Sequence, residues 1–138
     1  MAKRRDAVRR HAQALTLAAA LCGAAQACEL PDGARVESAR YALVYRTQPA
    51  RIAVGEHFTV EFSVCAKGNA ALPGAAAVDA WMPEHRHGMN YKAGVSALGG
   101  GRFRAEGLMF HMPGRWDLVF DVVAASGNER LTSTMQIE

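Results

Sequence analysis

Between His57 and Ala66 the chain alternates in polarity, with Phe58, Val60, Phe62 and Val64 on one side and Thr59, Glu61, Ser63 and Cys65 on the other. Side chains of an extended chain point to opposite faces with a period of two, so this pattern predicts a half-buried strand. Arg115 to Ala124 repeats it, with Trp116, Leu118, Phe120 and Val122 inward and Arg115, Asp117 and Asp121 outward. Ser38 to Thr47, rich in Tyr, Val and Leu, reads as an earlier strand ended by Gln48-Pro49. Ala75 to Met82 fits strand or helix by propensity; its length and the following Pro83 favour a strand entering a loop. Arg102 to Met112 follows the turn Gly99-Gly100-Gly101 as a strand bent or bulged at Gly107. Beyond the turn Ser126-Gly127-Asn128, Arg130 to Ile137 forms a last strand with Leu131 and Met135 inward. Glu29 to Glu37 reads as an irregular lead-in, and Pro83 to Leu98 as a long loop without periodicity. Six or seven short strands with frequent turns and no convincing helix predict an all-β chain: an antiparallel immunoglobulin-like sandwich, with Trp81 and Trp116 as core aromatics.

The N-terminal segment belongs to a different class. Lys3, Arg4, Arg5, Arg9 and Arg10 precede an apolar run from Ala14 to Ala25, followed by the small-x-small sequence Ala25-Gln26-Ala27. That order predicts a signal peptide over residues 1–27, cleaved after Ala27, and one domain over 28–138. The apolar run is short for a bilayer span, a retained membrane anchor is the alternative reading of it, and the mature chain carries no transmembrane candidate. The signal holds five basic residues and one acid, so its removal takes the net charge from +3 to −1. The basic character lies in the export tag, which removes the electrostatic case for nucleic-acid binding. Cys22 leaves with the signal, and Cys28 and Cys65 remain as an even pair suited to a disulfide in the periplasm. Lipidation of Cys28, giving an anchored protein, is the competing use, and metal ligation by the cysteines a third.

Histidine and methionine are concentrated in two segments, Met82-Pro83-Glu84-His85-Arg86-His87-Gly88-Met89 and Met109-Phe110-His111-Met112-Pro113. On an extended backbone His85, His87 and Met89 point the same way. Metal needs a further donor, and His111 with Met109 or Met112 supplies one if the two segments lie at the same end of the sandwich. Thioether with imidazole selects copper, above all the cuprous ion, over zinc. The candidate ligands are therefore His85, His87, Met89, His111 and Met112. Plainer readings stand beside this one. Met82 and Met109 fill core, His57 is a surface or edge histidine, His85 and His87 hydrogen-bond backbone groups and shape the loop, the Met-Pro pairs are turn chemistry, and Glu84, Arg86 and Tyr91 form a polar surface for a protein partner.

The segments from Asp79 to Tyr91 and from Gly107 to Trp116, and above all the core Met-Pro-x-His-x-His-Gly-Met, resemble the signature of YtkA-like domains. The resemblance runs from about Arg40 to the C-terminus. It implies an exported bacterial immunoglobulin-like domain, with His85, His87 and His111 as the motif histidines. It also implies a copper link, because similar domains occur beside copper-handling and cytochrome-oxidase-assembly proteins.

Enzyme chemistry finds no support: no nucleophile–base motif, no paired acids, and a glycine triplet that precedes a strand where phosphate binding uses a helix. The expected function is a periplasmic copper-binding module for storage, delivery or protection, partnered by a copper-handling or respiratory-oxidase assembly protein. The alternatives are a non-metal interaction domain docking on a membrane redox partner, and capture of a small ligand at the loop end.

Overall fold

The structure, a computed structural model, describes residue 30 and residues 32–138. The expected signal peptide and Cys28, bridged or lipidated, lie outside the described residues. The described chain is all-β. Its strands are β1 (Ala34–Glu37), β2 (Tyr41–Gln48), β3 (His57–Ala66), β4 (Ala75–Met82), β5 (His87–Gly88), β6 (Gly94–Gly99), β7 (Arg102–Met109), β8 (Gly114–Val123) and β9 (Glu129–Ile137). They form two antiparallel sheets, ordered β1-β2-β3-β7-β6 and β5-β4-β8-β9, packed as a sandwich. No helix among the described residues is long and apolar enough to cross a membrane.

Alternation builds the core. Phe58, Val60, Phe62 and Val64 from β3 meet Trp116, Leu118, Phe120 and Val122 from β8, all of them buried. The Phe62 ring stacks on Phe103 within its own sheet and meets Phe120 edge-on across the sandwich, each at 5.2 Å. Tyr45 reaches Phe120 at 5.2 Å and places its hydroxyl 2.7 Å from Ser133 Oγ, which satisfies a polar tip at the margin of the core. On the outer face Glu61 accepts from Arg46 of β2 and Arg104 of β7. The Arg46 hydrogen bond above all holds its carboxyl below the ordinary glutamate value.

The bulge falls where Gly107 predicts it. Phe58 pairs with Leu108 but Val60 pairs with Ala105, so β7 carries one residue more than β3, and Gly107 sits there at φ 82°. Three expectations need correction. The lead-in ends in a true strand, β1, held by backbone pairing to β2. The long loop contains β5 and β6, which brings the described strands to nine. Trp81 is 44% exposed and lies outside the core. Its neighbours Ala80 and Met82 point inward, and the two-residue period sends Trp81 to the other face.

Candidate functional site

Antiparallel pairing of β4 with β8 sets Trp81 opposite Asp117, so the end of β4 and the start of β8 share one rim of the sandwich. A hairpin turn leaves β4 there and returns as β5, pairing Met82 with His87. Within that turn the amides of His85 and Arg86 both donate to the Met82 carbonyl, and Arg86 takes φ 56°. The backbone around His85 is therefore turned rather than extended, contrary to expectation. Glu84 reaches Arg115 of β8 at 3.6 Å, an exposed contact worth little energetically.

The connection from β7 to β8 carries His111 and Met112 to the same rim, and the predicted histidines meet. The rings of His87 and His111 lie 5.0 Å apart, and those of His85 and His87 5.8 Å apart. Trp116, fully buried, touches His87 and His111 edge-on at 5.7 and 5.5 Å. Its indole nitrogen donates to the Met112 carbonyl at 3.1 Å, which fixes the β7–β8 connection over the ring. Phe110 lies 4.8 Å from Trp116 and 4.9 Å from Phe58. A continuous run of aromatic rings thus rises from the core and ends in imidazoles.

Two nitrogens define the chemistry of the patch. His87 Nδ1 lies 3.1 Å from the Gly88 carbonyl. A carbonyl only accepts, so the proton of that bond sits on Nδ1 and the lone pair of a neutral ring is on Nε2. His111 Nδ1 is buried and has no hydrogen-bond partner. An orphaned buried nitrogen costs about 1–3 kcal/mol in either tautomer.

The methionines divide by role. Met82 is fully buried core. Met89 and Met112 are half-buried against the core beside the histidines, the Met89 amide donating to the Ala80 carbonyl. Met109, expected in the core, is half-buried and is not among the side chains packed there. Buried Leu108 and Phe110 flank it, so alternation turns it to the outer face. Cys65 is disulfide-bonded, and its expected partner, Cys28, lies outside the described residues. Among the described residues no three His, Cys, Asp or Glu side chains converge as a metal-holding group. A groove of about 500 Å³ between β2 and β9, lined by Tyr45, Arg46, Arg51, Met135 and Glu138 among others, contains none of the histidines.

Gly114 lies where the two segments touch. Its φ of 131° suits glycine, and a Cβ there would stand 2.7 Å from the terminal methyl of Met82. The obstacle is the end of a flexible thioether that can swing aside, so the positive φ dominates and Gly114→Ala is expected to cost about 1–3 kcal/mol of folding stability. Urea unfolding measures it; an unchanged midpoint would mean that Gly114 is not held in this backbone conformation.

No curated protein and no solved structure matches the chain. The YtkA-like family model matches residues 34–120, a stretch running from β1 into β8 that contains the whole histidine rim. A match over more than half of the length, on a sandwich of the expected class, places the chain in a family: it belongs to the YtkA-like proteins.

Proposed function

We propose that the rim binds a cuprous ion, in an exported protein that stores, delivers or sequesters it. The observation that carries this reading is the pairing of His87 with His111, whose buried Nδ1 lacks a partner. Two imidazoles bound to one ion through nitrogen at about 2 Å have centroids at most roughly 6 Å apart. Separations of 5.0 and 5.8 Å meet that bound. The Gly88 carbonyl leaves His87 Nε2 as the donor, an arrangement typical of metal-bound histidine. Met89 and Met112 offer the soft sulfur that favours copper over zinc, and an unbranched thioether re-aims at little cost. Export, with a Cys28–Cys65 bridge, suits a compartment where cuprous traffic and disulfides coexist. The chain's partner is then a copper-handling or respiratory-oxidase assembly protein, and the domain itself performs no catalysis.

Titration of the purified protein with cuprous ion against a chromogenic chelator tests this. Stoichiometric, sub-micromolar uptake is expected, weakened about 100-fold or more in His87→Ala/His111→Ala. Absence of uptake by the wild type would favour the second reading, an interaction surface. The observation on that side is the 44% exposure of Trp81 beside the same rim.

A further inference from the structure

His57 was expected to be an ordinary edge histidine and Met109 a core residue, yet the register places them directly opposite each other across β3 and β7. Their chain neighbours Phe58 and Leu108 point inward as the next pair. Both side chains therefore stand on the outer face, where opposed Cβ atoms lie about 5 Å apart. His57 is exposed, and its ring makes no hydrogen bond among the described residues. Tyr91, 48% exposed, meets that ring edge-on at 5.4 Å and restricts its swing. Met109 precedes His111 by two residues, so its sulfur lies on the strand that leads directly to the rim.

We propose that His57 and Met109 form a second, solvent-facing site for a soft monovalent cation, through which cuprous ion reaches His111 and His87. The inference rests on the copper reading of the rim. Ions would move by ligand exchange alone: a nitrogen–metal or sulfur–metal bond forms at the rim as one breaks at the outer pair, with no change in oxidation state. A two-donor site open to water holds its ion weakly and releases it readily, as a point of entry requires. An exposed imidazole and a flexible thioether on facing strands provide those donors without moving the backbone.

Silver(I), a redox-inert probe of the same softness, separates the two sites by NMR of protein labelled at the methionine methyls and histidine rings. In His85→Ala/His87→Ala/His111→Ala, silver is expected to shift the Met109 methyl and the His57 ring, and to lose this effect when His57→Ala or Met109→Leu is added. Wild-type protein should show the same shifts in addition to those of the rim. Silver bound at the rim with Met109 and His57 unmoved in every variant would overturn the outer site and leave the rim reading intact. Failure to bind silver or cuprous ion anywhere would overturn both.

Discussion

Trp116→Ala is expected to destabilise the protein by about 3–5 kcal/mol, as large aromatic truncations in cores do. Against a total stability of about 5–15 kcal/mol for a domain, this is a large share. It corresponds to a fall in Tm of roughly 10–20 °C for a chain of this size. The ring is fully buried, packs on Phe110, and touches both His87 and His111. Its loss opens a cavity directly beneath the rim and frees the Met112 carbonyl. Trp116→Phe keeps one aromatic ring but loses part of the packed volume together with the indole donor, so it is expected to cost less, about 1–3 kcal/mol. Thermal unfolding of both variants checks the pair. Near-equal melting temperatures would mean that the hydrogen bond, rather than the packing, supports the rim.

The second large effect lies at the opposite end of β7. Gly99, Gly100 and Gly101 all have positive φ, but only Gly101 has no room for a side chain. A Cβ there would stand 2.4 Å from the Val64 carbonyl oxygen, and the Gly101 carbonyl itself accepts from the Val64 amide at 2.8 Å. Relief of that clash requires the turn to lift off β3, because the obstacle is backbone. Gly101→Ala is therefore expected to cost about 3–5 kcal/mol, combining left-handed strain with overpacking. Gly100→Ala, at φ 62° with nothing near, carries the strain alone and should cost about 1 kcal/mol. Equal costs in denaturant unfolding would show that the turn is not seated on β3.

Polarity alternation read strands well wherever one face was buried and the other wet. It recovered the bounds of β3 and the inward residues of β8, while length and the following Pro83 placed β4 and a lone glycine located the bulge in β7. It missed β1 and β6 for one physical reason. Both are sheet edges with mostly exposed side chains, held by backbone pairing that leaves no apolar signature. Trp81 differs, because its size suggests core while its parity does not: with Val78, Ala80 and Met82 inward, the two-residue period commits it to solvent. At the rim, composition identified the histidines but not their meeting. That depends on β4 and β8 being sheet neighbours, a long-range pairing that no local window contains. The outer pair was harder still, because it requires both the His57–Met109 register and the bulge that sets it.

The two tryptophans of this chain report on different surroundings. Trp116 is sealed from water and lies against two imidazoles, whereas Trp81 stands in solvent. A tryptophan away from water emits at shorter wavelength than a wet one, so the two contributions separate along the spectrum. The blue edge therefore belongs to Trp116, where a change in the charge or orientation of either imidazole quenches it, while the red edge from Trp81 serves as an internal standard.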